Sequence, residues 1–326
     1  MRHCERSVAI SLSLFRDCFG VLPLAMITYF HVYSGFDTMS SLRGNRELTA
    51  KVKVVTDSTA YLLPETIARY DIRVVPLKVV FGTEVYSEGV DITNEEFYQR
   101  LAKSSKLPTT SQPPVSDFIQ VYTELMQHGH PILSIHISGK LSGTINSATA
   151  AKNGLPQAQI EIVDSLSNAL GLLVLAAARA AEEGQSLLQI RAAIEKLITR
   201  MNVISMLDTL KYLHKGGRIG DATALVGTLL KIKPVLTLKD GEAKVLAKAR
   251  TRGRAVEYML KFMEERMEGS TFVHAAVIHV RALEQALALE KEVRARFNCA
   301  QLDLIELGPV FGTHTGPGTL GLAFYS

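Results

Sequence analysis

A chain of 326 residues is about twice the commonest domain size, so two domains are expected. Hydrophobic residues at 47% and charged residues at 21% are ordinary globular usage, which excludes a mainly disordered or collagen-like chain. Three scattered cysteines (Cys4, Cys18, Cys299) give neither a disulfide framework nor a zinc cluster, so no metal is expected and a reducing, cytoplasmic setting is. A net charge of +4, no tryptophan and 7% aromatic residues argue against a nucleic-acid partner.

Residues 1–50 stand apart as an extension of uncertain order. Val8 to Val32 is largely apolar and follows Arg2 and Arg6, the pattern of an export signal or anchor. Arg16 and Asp17 split the run, Pro23 interrupts its longer half, and roughly 14 residues after Cys18 fall short of the ~20 a spanning helix needs. The alternative is a non-native upstream extension, with Met39 as an internal start.

From Lys51 the chain reads as apolar strands that end in hydroxyl or acidic residues and pass into helices. Val52–Val55 leads to Thr56-Asp57-Ser58-Thr59 and a helix from Pro64, the favoured first-turn proline. Val74–Val80 and Val85–Val90 flank Phe81–Glu84 as a hairpin. Ile132–Ile137 leads to Ser138–Thr144 and an alanine-rich helix, and Ile160–Val163 leads to Asp164-Ser165 and a long helix through Ala180. Three such units predict a Rossmann-like, three-layer α/β domain over 51–200, its parallel sheet binding ligand at the strands' carboxyl ends. Leu187, Ile190, Ile194, Leu197 and Met201 repeat at helical spacing. Apolar runs at 201–207, 234–238, 243–247, 272–279 and 301–307, interleaved with helices near 222–231, 253–267 and 282–297, predict a second α/β domain over 201–326 with a more antiparallel sheet. Lys211–Arg254 carries a local balance of +8, a basic surface that is either a solvated face or a site for an acidic partner or phosphorylated ligand.

Four segments carry candidate chemistry. In Ser138–Thr144, Gly139 and Gly143 let the backbone turn ahead of a helix whose N-terminus favours an anion; alternatively Ser142 or Thr144 is only the helix cap. The segment is neither a Walker loop nor a nucleophile elbow. Pro108–Pro114 reads as a stiff loop presenting Thr110 and Ser111 outward, or as a plain turn before the helix from Val115. Gly308–Gly318, with four glycines and two prolines around His314, reads as an irregular segment serving a crowded turn or a ligand. Leu210–Gly220 carries Arg218 on an exposed turn after Gly216-Gly217, or is a plain basic loop. His136 alternates within a strand and reads as a packed or hydrogen-bonded residue.

These segments together resemble the DegV family of fatty-acid-binding proteins. The resemblance runs from Lys51 to Tyr325 through Val55-Thr56-Asp57-Ser58-Thr59-Ala60, Val75-Pro76-Leu77, Glu88-Gly89-Val90-Asp91-Ile92 with Phe97-Tyr98, Thr110-Ser111-Gln112-Pro113 and Leu141-Ser142-Gly143-Thr144 with Asn146-Ser147-Ala148. It continues through Lys215-Gly216-Gly217-Arg218-Ile219, Leu230–Leu236 and Gly312–Gly318. Residues 1–50 have no counterpart, and Ser138-Gly139-Lys140 departs from the family's usual Ser-Ser-Gly.

The resemblance implies two α/β domains with a long-chain fatty acid held non-covalently between them, and no cofactor beyond that ligand. It implies a carrier and not an enzyme, one that hands the acid to a separate fatty acid kinase for phospholipid synthesis, with transient membrane contact allowed. Residue by residue, Thr110, Ser142 and His314 match the carboxylate-binding positions, with Gly143 and Thr144 beside Ser142, and Arg218 matches an arginine of the kinase-facing surface. The competing reading is a stand-alone acyl hydrolase or transferase with Ser142 as nucleophile, His314 as base and Asp57 or Asp164 as orienter.

Overall fold

The computed structural model describes residues 50–165, 169–228, 232–268, 270 and 272–326. The apolar stretch from Val8 to Val32, Met39, Cys4, Cys18 and the Leu230-Lys231 pair lie outside the described residues.

The described residues start with β1 (Lys53–Asp57), a 3-10 turn (Ser58–Ala60), α1 (Pro64–Tyr70), β2 (Arg73–Val75), β3 (Lys78–Phe81) and β4 (Glu84–Ser87). Next come α2 (Asn94–Lys103), β5 (Thr109–Ser111), α3 (Val115–Gln127), β6 (Ile132–His136), α4 (Thr144–Asn153) and β7 (Ile160–Asp164). α5 (Leu170–Glu182) and α6 (Leu187–Ile198) complete this half. Pro64 opens α1 as expected, and capping boxes start α2 (Thr93 with Glu96) and α6 (Ser186 with Gln189). The second half holds β8 (Asn202–Met206), α7 (Lys211–Gly216), a 3-10 segment (Gly220–Thr228), β9 (Lys233–Lys239), β10 (Glu242–Ala249) and α8 (Arg252–Met267). It ends with β11 (Val273–His279), α9 (Leu283–Arg296), β12 (Cys299–Glu306), α10 (Pro309–Thr315) and β13 (Leu320–Tyr325).

β2-β1-β6-β7 form an all-parallel sheet, and β10-β9-β8-β13-β11-β12 form a six-stranded sheet whose pairs are antiparallel except β11 with β12. The expected parallel and more antiparallel sheets are both present, and residues 50–326 pack as one unit. α5 is buried on ten of its thirteen residues, as a helix apolar all round must be. The core around it includes Leu133 and Ile135 from the parallel sheet and Val203, Ile278 and Ala323 from the mixed one.

Three local expectations change. The 74–80 run is broken at Pro76-Leu77: β2 joins the parallel sheet, while β3 pairs with β4 and β5 in a separate antiparallel sheet. Thr109–Ser111 is therefore an edge strand and not a loop, because Pro108 and Pro113 flank it without entering it. Pro309–Thr315 is a helix and not irregular chain: Pro309 sits in its first turn, and Glu88 and Tyr61 bind the Val310 and Phe311 amides.

A buried polar chain fixes the ends of the two central parallel strands. Asp57 accepts from the Ile137 amide at 3.0 Å, the Thr59 amide at 3.0 Å and His136 Nδ1 at 3.0 Å. Because a carboxylate only accepts, Nδ1 carries a proton; Ser134 Oγ lies 2.7 Å from His136 Nε2 and 2.7 Å from the Tyr122 hydroxyl, extending the chain. Asp57, Ser134, His136 and Tyr122 are all 0% exposed. His136 is thus the hydrogen-bonded residue expected of it. Asp57→Ala strands these three donors and the Thr59 hydroxyl, which also donates to Asp57, and should lower the unfolding free energy by about 3–5 kcal/mol, read by urea denaturation; a loss within roughly 0.5 kcal/mol would contradict this role.

Candidate lipid-binding site

The loop after β6 makes one wall of the site. Leu141 and Ser142 donate their amides to Ser138 O, the Gly139 amide donates to Asp164, and α4 begins at Thr144 without a side-chain cap. Ser142 Oγ lies 2.8 Å from the buried Thr144 Oγ1, so the two hydroxyls share one hydrogen bond. The Gln112 side chain covers Gly143.

The opposite wall comes from β5 and α10. Thr110 Oγ1 and His314 Nε2 are 2.7 Å apart, joining positions 204 residues distant in sequence. His314 Nδ1 is buried and has no hydrogen-bond partner. α7 approaches this face of the ring so closely that a Cβ on Gly216 would lie 2.2 Å from Nδ1. Arg218 follows Gly217, whose φ of 71° ends α7 in the left-handed region. It is half-buried, donating to Leu141 O at 3.1 Å and Gly216 O at 2.7 Å, and so faces inward from its turn.

Between these walls lies a cavity enclosing about 860 Å³ of non-atom space, open solvent at its mouth included. Thr110, Ser142, Arg218 and His314 line it, whereas Gly143 and Thr144 stand behind Ser142. The rest of its lining is mainly aliphatic and aromatic: Leu77, Ile137, Val203, Leu207, Leu236 and Phe311 among others. A second cleft shares Thr110, Arg218 and His314 with this cavity and carries Lys106, Lys211 and Lys215 besides.

The chain from residue 51 to 326 matches the family model described as an uncharacterised protein of the DegV family. The chain belongs to the DegV family. A DegV domain-containing protein of Halalkalibacterium halodurans is 37% identical over 278 residues, covering 84% of this chain and 98% of the relative. A Thermus thermophilus DegV family protein, whose solved structure concerns fatty acid binding, is 40% identical with a TM-score of 0.80, covering 85% of this chain and 99% of its own. Bacillus subtilis DegV, described as a fatty acid binding protein, is 34% identical with a TM-score of 0.78 over 85% of this chain and 99% of its own. A stearic acid-binding protein of Eubacterium ventriosum is 30% identical at a TM-score of 0.78, over 84% of this chain and 98% of its own.

The charges of this DegV site follow from burial. His314 is lowered to about 4, first by desolvation and then by the Arg218 cation, so at neutral pH its ring is uncharged. Ser142 is bonded to Thr144, His314 to Thr110, Asp57 to His136 and Asp164 to Gly139; with Nδ1 unpartnered, neither carboxylate orients His314. Among the described residues no group of three or more His, Cys, Asp or Glu could hold a metal, and no helix is long and apolar enough to cross a membrane.

The sequence reading missed Gln112, Phe311 and the inner face of β8. The alternation Val203, Ser205, Leu207 is a period-2 signal for that face. Gly216→Ala, by driving a methyl into Nδ1, should displace the His314 ring and shift its side-chain 15N resonances; unmoved His314 resonances in the variant would contradict the packing.

Proposed function

We propose that this protein binds a long-chain fatty acid non-covalently, its carboxylate at Thr110, Ser142 and His314 and its chain in the aliphatic cavity between the two sheets. The observation that carries this reading is the cavity itself: a lining mainly of aliphatic and aromatic side chains that also holds the Thr110 and Ser142 hydroxyls, the neutral His314 imidazole and the Arg218 guanidinium. The solved DegV relatives that bind fatty acids support it.

The donor directions fit a ligand that only accepts. With Nε2 protonated, His314 donates to Thr110 Oγ1, which frees the Thr110 proton for a carboxylate; Nδ1 is then a bare acceptor, so no buried ring N–H is left unpaired. Thr144 likewise donates to Ser142 and frees the Ser142 proton. Arg218 adds attraction for the anion. At ~0.8 kcal/mol per buried methylene, a chain of twelve or more contributes ~10 kcal/mol before ordering costs, enough for a tight complex without covalent chemistry.

The protein acts as a carrier that presents the acid to a separate kinase. The basic cleft that adjoins Thr110 and His314 is the face for that acidic partner, since Lys106, Lys211 and Lys215 pair with no carboxylate among the described residues. Other cations of the basic segment are already neutralised, Lys233 and Arg252 by Asp208 and Lys244 by Asp221.

Mass spectrometry of an organic extract of the purified protein should find long-chain fatty acid near one per chain; an empty protein, or one holding only polar molecules, would contradict the reading. Ser142→Ala removes one head-group donor and should weaken binding by about 1–2 kcal/mol, roughly tenfold in Kd. Lys211→Glu should leave bound lipid unchanged and abolish phosphoryl transfer to it by a fatty acid kinase; unimpaired transfer would count against the cleft.

A further inference from the structure

Behind the cavity wall formed by Val310 and Phe311 sits a carboxylate that neither lines the cavity nor pairs with a cation among the described residues. Glu88 stands on the turn after β4, its amide bonded to Leu77 O at 2.9 Å, and is 5% exposed. Its Oε1 accepts from the Val310 amide at 2.8 Å and the Tyr61 hydroxyl at 3.0 Å; its Oε2 lies 2.5 Å from Ser58 Oγ, which accepts from the Leu77 amide and can also accept the proton of a protonated Oε2. The Tyr61 oxygen in turn accepts from the Phe311 amide at 3.2 Å. The seat is tight: a Cβ on Gly308 would lie 2.7 Å from Tyr61 Cε1 and 2.8 Å from Glu88 Oε1. The first turn of α10 is therefore held by side chains from residues 58–88, and the same short helix carries two cavity-lining residues at its start and His314 near its end.

We propose that Glu88 is the positioning residue of α10 and a pH-sensitive latch on the cavity: protonated, it holds the helix against the pocket, and its ionisation favours an opened state from which the ligand leaves. The inference rests on the lipid-carrier reading above. Opening exposes the carboxylate to water, which is where an ionised Glu88 is stabler than in its dry seat.

Burial pushes Glu88 up to about 7 from the ordinary 4.5; hydrogen bonds from Ser58, Val310 and Tyr61 offset part of this, and Asp57 adds repulsion. In an opened, hydrated state the carboxyl returns toward its ordinary value. A carboxyl raised in the closed state stabilises that state fully below the open-state value, and the contribution is lost as pH rises through about 7. Linkage then shifts the balance toward opening about tenfold between pH 6 and pH 8. The other titratable groups facing Glu88 are Asp57 at the end of β1, Tyr61, and Tyr98 on α2, with Glu306 and Arg281 beyond Tyr98. Burial and Glu88 itself hold both tyrosines far above this window, and His314, at about 4, lies below it.

The test is the dissociation rate of hexadecane sulfonate, whose head group stays anionic throughout, from the full chain at about pH 6 and pH 8. The wild-type rate should rise up to about tenfold with pH. Glu88→Gln keeps an acceptor for Val310 and cannot ionise, so it should release slowly and equally at both pH values. Glu88→Ala should release fast at both. Equal pH profiles for wild type and Glu88→Gln would overturn the latch. Hydrogen exchange at the Val310 and Phe311 amides, corrected for intrinsic rate, separates the two claims. A wild type that takes up no lipid analogue sinks the carrier reading, while pH-dependent opening absent from Glu88→Gln still upholds the latch and its absence rejects it.

Discussion

The hydrogen bond between Thr110 and His314 is the contact on which the site depends. It ties the edge strand of the small sheet to a helix from the far end of the chain, and both of its residues line the apolar cavity and the basic cleft alike. A neutral imidazole with one nitrogen bonded and the other facing Gly216 can orient Thr110 in one direction, so that the hydroxyl proton is left for a guest. A charged histidine would carry a second proton on the buried Nδ1, which has no acceptor there, and burial beside Arg218 keeps the ring neutral.

The two sheets supply complementary halves of the proposed lipid site. The parallel sheet brings a turn, Ser138–Thr144, to the carboxyl ends of its strands, where α/β proteins place polar recognition. The mixed sheet brings a flat apolar face, with Ser205 lying across from Gly321 and Leu236, on which a chain can rest. The Asp57–His136 pair fixes the strand ends beneath the first half, and Glu88 and Tyr61 fix the helix that closes the second. The two walls of the site thus rest on separate buried carboxylates, one ringed by donors at a strand end and one seated against a helix start.

What was legible in the sequence followed from local physics. β1, β6 and β7 are short apolar runs that stop at hydroxyl or acidic residues before a helix, and they formed the parallel sheet expected of them. Thr110, Ser142 and His314 were legible as candidates only through hydroxyls, glycines and a motif order; their meeting around one cavity is a tertiary fact. β13 escaped notice because Leu320–Tyr325 is buried at every position, which erases the alternation that marks a half-exposed strand. α10 escaped because glycine and proline oppose a helix locally. Its amides are held by Glu88 and Tyr61, and Tyr98 binds the carbonyl just before it, all from more than two hundred residues earlier. Glu88 itself sits in a turn sequence with nothing to distinguish it from a solvated residue until the fold buries it.

The most direct measurement is a crystal structure of the full chain with palmitate. The account predicts electron density for the chain along Val203, Leu207 and Leu236, with both carboxylate oxygens within hydrogen-bond distance of Thr110, Ser142 or Arg218. A palmitate lying with its carboxylate at the aliphatic end, or bound outside the cavity altogether, would contradict it.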